Sequence, residues 1–309
     1  QTLRFHVPGG NAEGLPIEMA FQLPAEADPA NLRVLFAGGV STPAQFEREE
    51  STQGKLVFVL PGGIPAGDTQ AELLAVSKGA EGSVYPPASR FTVPKDGSRL
   101  VFGTYSLTLR DGTLTDIAVH QPDGSELAVV SSIIESSKET GWSSEPGELT
   151  EFALEATGPV RAVFRMTKML QGGYKLTRRF FFYADRFEVV STCEPHRSLL
   201  TRTMYAVDGI AVKGSGGQAV MDGVGNNEDF GFQGQPQWFA AFGPQYRSAC
   251  LALTPAAGFT YWDSGAYRGQ MGLGCPGATE RRVFLWGQGA DNAEFAKETW
   301  KAYAETLEK

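Results

Sequence analysis

Apolar and polar residues alternate along much of the chain, and glycine and proline interrupt the alternation at short intervals. This pattern predicts β-strands, because successive side chains of a strand point to opposite faces of a sheet. The clearest pair is residues 105–110 and 114–120 around Asp111-Gly112, since Asp-Gly accommodates the positive φ angles of a two-residue hairpin turn. Pro122-Asp123-Gly124 then turns the chain into a strand over residues 126–134. The pattern therefore predicts an all-β fold.

The predicted strands fall into two groups on either side of a segment without periodicity. Residues 78–94 are rich in glycine, serine and proline, which is typical of a linker. The strands before this segment are short, and those after it are longer. A chain of 309 residues also exceeds what one hydrophobic core usually supports. We therefore predict a small β-sandwich domain over residues 1–90 and a large one over residues 91–309.

Two segments depart from the strand pattern. Residues 214–235 are polar and rich in glycine, which predicts a long loop that is either functional or poorly ordered. A C-terminal helix is predicted from Asn292 to about Leu307, because Asp291 and Glu294 have the spacing of a capping box. Its predicted apolar stripe consists of Phe295, Ala296, Trp300, Tyr303 and Leu307.

The net charge, the chain start and the cysteines each exclude or favour a class of protein or partner. The net charge of -8 disfavours binding to nucleic acids and to anionic membranes, and no apolar run is long enough to cross a bilayer. The chain begins at Gln1 without an initiator methionine, so we expect a secreted or periplasmic protein whose targeting peptide has been removed. Cys193, Cys250 and Cys275 are too scattered for a zinc or redox motif, and their spacing does not decide their pairing.

Three stretches of sequence resemble a known family. They are YSLTLRDGTLTDIAVHQPDGSEL (105–127), GPVRAVFRM (158–166) and YKLTRRFFFYADRFEVVSTCEP (174–195). They resemble galactose-mutarotase-like β-supersandwich proteins, nearest to exo-rhamnogalacturonan-lyase-like proteins. The resemblance covers most of residues 100–305 and implies a large two-sheet sandwich that often binds carbohydrate on a concave sheet face. Many such lyases also carry an α/α toroid, whereas this chain has one predicted helix.

The candidate catalytic residues lie in one polar cluster. The chain has no phosphate-binding loop, zinc-binding HExxH pair or GxSxG nucleophile motif. A polysaccharide lyase needs a base and a group that neutralises the uronate carboxylate. His196 or Tyr205 is the predicted base, and Arg197 or Arg202 is the predicted neutralising group. Alternatively, His196 is an ordinary turn histidine beside surface arginines, or it forms an epimerase-type acid–base pair with Glu194.

A second set of residues is predicted to bind substrate. Adjacent strand residues face opposite sides of a sheet, so either Arg178 or Arg179 reaches an anionic sugar while the other forms an ion pair, for example with Glu188. Amide, carboxylate and aromatic groups near loops provide the remaining candidates. The predicted substrate-binding residues are Arg178, Glu194, Glu228, Gln237, Trp238, Tyr246 and Trp262. The alternative for Trp238 and Trp262 is a place in the core.

No cofactor is expected. A three-histidine metal site would need all of His6, His120 and His196, and His6 lies in the predicted first domain. Oxygen-rich residues around the 214–235 segment suit a structural calcium ion, although no EF-hand spacing is present.

Two functions remain open after these observations. The first is a secreted carbohydrate-active protein, specifically a polysaccharide lyase that cleaves an acidic glycan by β-elimination. The alternative is a non-catalytic glycan-binding or structural module of a polysaccharide-degrading system. The two differ in one requirement, because a lyase must bring a base and a cation to one sugar. The expected partner in both cases is a polysaccharide or oligosaccharide.

Overall fold

The computed structural model consists almost wholly of β-strands. It describes residues 1–49, 52–77, 91–136, 146–207, 210–215, 217–221, 228–233, 237–256, 258–263, 270–275, 277–289 and 293–307. In these residues the chain forms three sheets and one α-helix. No helix in the described ranges is both long enough and apolar enough to span a membrane.

The chain divides into two compact units. The first unit comprises Gln1–Arg90, Ala156–Ala162 and Lys301–Lys309, and the second comprises Phe91–Glu155 and Val163–Trp300.

The first unit contains one six-stranded sheet. Its strands are β1 Thr2–Val7, β2 Pro16–Gln22, β3 Ala27–Phe36, β4 Ser41–Arg48, β5 Gln53–Val59 and β6 Gly67–Ser77. Their order is β1-β6-β3-β4-β5-β2, and each neighbouring pair is antiparallel. Phe5, Phe36 and Phe58 form an edge-to-face aromatic cluster with ring centroids 5.3–6.3 Å apart. This cluster forms part of the apolar core of the unit.

The second unit contains two larger sheets. Its strands are β7 Leu100–Val101, β8 Tyr105–Arg110, β9 Thr113–His120, β10 Glu126–Ser136, β11 Gly147–Thr157, β12 Ala162–Leu170, β13 Tyr174–Phe182, β14 Arg186–Glu194, β15 Leu199–Tyr205, β16 Ile210–Gly214, β17 Gly217–Met221, β18 Glu228–Gln233, β19 Trp238–Gly243, β20 Tyr246–Ala252, β21 Gly258–Asp263, β22 Gln270–Cys275 and β23 Thr279–Gly287. The eight-stranded sheet has the order β18-β21-β22-β15-β10-β9-β8-β7. The nine-stranded sheet has the order β11-β12-β13-β14-β23-β20-β19-β16-β17.

The two large sheets face each other across a buried core. From the eight-stranded sheet, the Tyr105 hydroxyl donates to the Arg186 carbonyl at 2.9 Å, and Tyr205 Oη lies 3.1 Å from Ser248 Oγ. Phe187 and Phe284 stack in the interior with ring centroids 4.9 Å apart. Two large facing antiparallel sheets are the architecture that the family resemblance implies, so the predicted all-β fold class is confirmed.

The predicted hairpin between β8 and β9 is confirmed in detail. Asp111 and Gly112 have φ angles of 49° and 74°, and Arg110 pairs with Thr113 across the turn. Gly112 is also required sterically, because a Cβ there would lie 1.8 Å from Met166 Sδ. The turn sequence therefore fixes the register next to the turn, and an irregularity between Ser106 and Thr108 shifts it by one residue farther along the strands.

The predicted loop over residues 214–235 is wrong in part. Within this range β17 pairs with β16, and β18 pairs with β21. Both strands lie in a glycine-rich, polar segment, and β18 acquires its strand structure from β21, which is distant in the sequence. The pattern also missed β22, which pairs with β15 and β21.

The predicted C-terminal helix is confirmed, and α1 spans Ala293–Leu307. Its buried residues include Ala296, Thr299 and Tyr303, whereas Leu307 is 45% exposed. The predicted stripe is therefore wrong at Leu307, which lies in the last turn. The proposed cap residue Asp291 lies outside the described residues.

Candidate functional site

The predicted lyase residues separate into an exposed turn and a buried strand. Glu194, the last residue of β14, and His196, which lies between β14 and β15, are both exposed. The Arg197 guanidinium lies 5.0 Å from the centroid of the Tyr174 ring, in a cation–π contact. His196 and Arg197 are thus neighbours at one end of the β13–β14 hairpin. Their catalytic roles stay predictions.

Tyr205 and Arg202 do not meet at one sugar. They are three residues apart on β15, so their side chains lie on opposite faces of the sheet. The Tyr205 hydroxyl contacts Ser248 inside the sandwich, and burial raises the pKa of Tyr205 well above its ordinary value. Burial also lowers the pKa of Arg202. These features argue against Tyr205 as a base that acts together with Arg202.

The arginine predicted to reach sugar on a sheet face lies in the core instead. Arg178 is buried between the sheets, where Nη1 donates to the Gly112 carbonyl at 3.0 Å. Its exposed neighbour Arg179 donates from Nε to Glu155 at 2.9 Å. Glu188 pairs with Arg281 rather than with either of them. The expectation for Arg178 as a surface ligand is therefore wrong, because its side chain points inward.

The aromatic candidates do not form an exposed platform in the described part of the chain. Trp238 and Tyr246 are both buried, so the core alternative is correct for Trp238. Burial also raises the pKa of Tyr246. Gln237 is exposed at the start of β19. Glu228 and Trp262 lie in β18 and β21, and their side chains are outside the described residues.

A cavity of about 380 Å³ lies at one end of the sandwich, within the second unit. This volume falls in the range of small-molecule pockets, which is roughly 300–1,000 Å³. The cavity is lined by Thr104, Asp185, Arg247, Leu285, Trp286, Gly287, Gln288 and Phe295. These residues come from the segment before β8, the β13–β14 turn, the start of β20, the end of β23 and the first turn of α1. The fold therefore assembles the cavity from segments far apart in the sequence.

Arg247 sets the charge of this cavity. Its guanidinium lies 4.8 Å from the centroid of the Phe295 ring. Within the described ranges, no carboxylate forms an ion pair with Arg247. A guanidinium held against an aromatic ring and without a carboxylate partner is suited to bind an anionic group of a ligand.

Three polar side chains that differ as hydrogen-bond donors and acceptors lie around Arg247. The Asp185 carboxylate accepts two hydrogen bonds from Arg186, at 2.9 and 2.8 Å, so its charge is compensated and its orientation is fixed. The Thr104 hydroxyl donates to the Trp286 carbonyl at 2.9 Å. Gln288 is exposed at the rim and donates to the His120 carbonyl at 2.6 Å. Carboxylate, hydroxyl and amide groups thus surround one positive charge.

A histidine–glutamate pair adjoins the cavity, and the sequence analysis missed it. His120 and Glu126 are cross-strand partners, and His120 Nε2 lies 3.4 Å from Glu126 Oε1. Burial acts to raise the pKa of Glu126, but the Ser106 hydroxyl and the Arg99 guanidinium outweigh it, and the pKa lies below its ordinary value. The predicted Pro122-Asp123-Gly124 turn was the signal that could have revealed this pair.

The described residues contain no group of three His, Cys, Asp or Glu side chains placed to hold a metal ion. Asn226 and Asn227, which belong to the segment considered for calcium, lie outside the described residues. A structural calcium ion there stays a prediction.

No family model matches the chain, and no curated protein matches it. Solved structures similar to it include a candidate aldose 1-epimerase from Escherichia coli K12, at 9% identity and a TM-score of 0.41, which covers 66% of this chain and 100% of its own. A protein from Synechocystis sp. PCC 6803 has 10% identity and a TM-score of 0.40, with 67% and 97% covered. An aldose epimerase homologue from C. elegans has 7% identity and a TM-score of 0.39, with 65% and 100% covered. At these values the similarity carries no argument about activity.

Proposed function

We propose that the protein is a carbohydrate-active protein that binds an acidic glycan in the cavity around Arg247. The observation that supports this most is a guanidinium without a described carboxylate partner in a ligand-sized cavity. A uronic acid offers one carboxylate and several hydroxyls. Arg247 matches the carboxylate, and Asp185 and Gln288 match the hydroxyls as acceptor and donor. The same proposal places the protein in a secreted or periplasmic location, where such glycans occur.

The size of the cavity indicates which part of a glycan it receives. Its volume of about 380 Å³ lies near the lower end of the range for ligand pockets. Gln288 at the rim is exposed, so the cavity opens to solvent on that side. We therefore infer that the cavity holds a chain end or a short oligosaccharide rather than the middle of a long polymer.

Replacing Arg247 with glutamine is expected to weaken binding of a short oligogalacturonate by about tenfold to a hundredfold. A charge-assisted hydrogen bond contributes about 1.5–3 kcal/mol, and about 1.4 kcal/mol corresponds to a factor of ten in affinity. Isothermal titration calorimetry measures the dissociation constants of the wild type and the variant.

Arg165→Gln is the matched control for this experiment. The Arg165 side chain is 40% exposed, its Nη2 lies 3.3 Å from Glu151 Oε2, and it does not line the cavity. Its variant should bind as the wild type does. Equal losses in both variants would show that only the net charge matters. Undiminished binding by the Arg247 variant would place the ligand elsewhere.

A polysaccharide lyase is the second candidate function, supported by the exposed His196 beside Arg197. In such a reaction His196 removes the proton α to the uronate carboxylate, and Arg197 compensates the carboxylate charge. The electron pair released forms a carbon–carbon double bond as the glycosidic C–O bond breaks, and the leaving oxygen takes up a proton.

His196→Ala is expected to reduce the rate of any lyase reaction by about a hundredfold or more, since general base catalysis contributes about 10²–10⁴-fold. The measurement is the rise in absorbance of unsaturated uronate during incubation with a panel of acidic polysaccharides. If the wild-type protein binds glycan but gives no rise in absorbance with any polysaccharide of the panel, the result would favour the non-catalytic function.

A further inference from the structure

We propose that Arg186 is a positioning residue of the Arg247 cavity and that it makes the cavity selective for acidic over neutral sugars. It does so by compensating the charge of Asp185, which lines the same cavity as Arg247. This inference rests on the proposed glycan-binding function and adds a specificity-determining residue to it.

Arg186 and Asp185 form a two-point ion pair at the cavity wall. Arg186 Nε donates to Asp185 Oδ1 at 2.9 Å, and Nη2 donates to Oδ2 at 2.8 Å. The Arg186 side chain is 1% exposed, whereas that of Asp185 is 39% exposed. Paired, charge-assisted bonds of this kind fix the plane of a carboxylate. The buried cation therefore holds the carboxylate in one orientation and compensates its charge.

The backbone of Asp185 is held without the Arg186 guanidinium. The Asp185 carbonyl accepts from the Trp286 amide at 2.9 Å. The Arg186 carbonyl accepts from the Tyr105 hydroxyl at 2.9 Å and from the Tyr183 amide at 2.8 Å. None of these bonds involves the Arg186 side chain. Its guanidinium therefore acts on the charge and orientation of the Asp185 carboxylate rather than on the path of the turn.

The charge of the cavity depends on this pair. Asp185 and Arg247 are the two charged residues among the described residues that line the cavity. With Asp185 compensated by Arg186, the charge presented to a ligand is that of Arg247, which has no described carboxylate partner. Without Arg186, the Asp185 carboxylate would oppose that charge and repel an anion. The lining alone is therefore neutral, and the buried arginine makes the site positive.

The test compares binding of a short oligogalacturonate with binding of its fully methyl-esterified form, which has the same ring hydroxyls and no charge. Isothermal titration calorimetry gives the ratio of the two dissociation constants for each protein. Arg186→Gln uncovers the Asp185 charge, Asp185→Asn leaves the Arg186 charge, and the double variant removes both. Thermal unfolding checks that each variant is folded.

We expect the wild type to prefer the acid over the ester by about tenfold or more, in line with one charge-assisted contact at Arg247. Arg186→Gln should reduce this preference by about threefold to tenfold, the size of one charge interaction in a partly exposed site. Asp185→Asn should increase the preference, and the double variant should restore it toward the wild-type value. A merely structural role would instead weaken both ligands alike in either single variant.

Arg179→Gln is the matched control. Arg179 Nε donates to Glu155 at 2.9 Å, so this substitution also takes an arginine from a carboxylate and lowers the net charge by one. Neither Arg179 nor Glu155 lines the cavity. The control should keep the wild-type preference for the acid. An unchanged preference in Arg186→Gln, or the same reduction in Arg179→Gln, would overturn the inference.

A second measurement uses acetate as a carboxylate probe and needs no glycan. The NMR signal of the Arg247 Nε–H should shift on addition of acetate, and Arg186→Gln should need a higher acetate concentration for the same shift. A weaker response in Arg186→Gln without any glycan binding would contradict the proposed function alone. An equal response in the two proteins, or none in the wild type, would contradict the role of Arg186 even if glycan binding is confirmed.

Discussion

Replacing Arg161 with alanine is expected to lower the free energy of unfolding by about 3–5 kcal/mol, the cost of removing one partner from a buried ion pair. In the first unit, Arg161 is 1% exposed, and Glu47 is 15% exposed. Arg161 Nε and Nη2 donate to the two Glu47 oxygens at 2.7 and 2.6 Å, and Nη1 donates to Glu18 at 2.5 Å. Without the guanidinium, the Glu47 carboxylate is left nearly buried and without its cation. Urea unfolding measures the change.

Two controls separate the ion pair from general effects on the arginine. Arg165→Ala removes an arginine whose side chain is 40% exposed and should cost about 1 kcal/mol or less. A triple variant with Arg161→Met, Glu18→Gln and Glu47→Gln removes all three charges and should recover part of the loss. A loss for Arg161→Ala no larger than that for Arg165→Ala would show that the buried network contributes little.

Gly97→Ala is the second substitution with a large expected effect, a loss of about 3 kcal/mol or more. Gly97 has a φ of 72°, which costs an L-residue roughly 1–2 kcal/mol. A Cβ would also lie 2.3 Å from the Leu109 carbonyl oxygen, a backbone atom that no side-chain rotation can move, and relieving such overlap costs about 1–3 kcal/mol. The shift would weaken the bond from the Leu109 amide to the Gly97 carbonyl, now 2.9 Å. Denaturant unfolding gives the loss.

Gly124→Ala is the matched control for Gly97→Ala. Gly124 has a φ of 83°, and nothing lies within 4 Å of the position of its Cβ. The variant should therefore show only the conformational cost, about 1–2 kcal/mol. Equal losses at both positions would mean that the backbone contact at Gly97 relaxes without cost.

The sequence was sufficient to predict elements whose information is local. Asp111-Gly112 determines its own turn, and the register of β8 and β9 next to the turn follows from it. The helix also carries its own periodic pattern. In contrast, β17 and β18 lie in a glycine-rich, polar segment, and β18 becomes a strand through pairing with the distant β21. Strand propensity depends strongly on such context, so a single sequence cannot report it.

The site was predicted less well than the fold for a related reason. An aromatic or an arginine in a strand does not reveal which sheet face is buried, and Tyr246 and Arg178 both turned out to face inward. The cavity draws Thr104, Asp185 and Arg247 from segments about 60 or more residues apart, a distance that no local motif bridges. The His120–Glu126 pair was within reach, because it needs only the predicted turn and its register.

The two candidate functions use opposite ends of one hairpin. Asp185 lies in the turn between β13 and β14, whereas His196 follows the far end of β14. A strand of this length spans roughly 30 Å, because each residue adds about 3.4 Å. A short oligosaccharide bound at Arg247 therefore does not reach His196. A lyase that acts at His196 would bind its substrate at a separate position.

A crystal structure of the protein soaked with a short oligogalacturonate would show whether the Arg247 cavity binds an acidic glycan. We expect a uronate in the cavity, with its carboxylate oxygens about 2.7–2.9 Å from the Arg247 guanidinium nitrogens and a hydroxyl at Asp185 or Gln288. An empty cavity, with the saccharide instead at the His196 turn or on a sheet face, would contradict it.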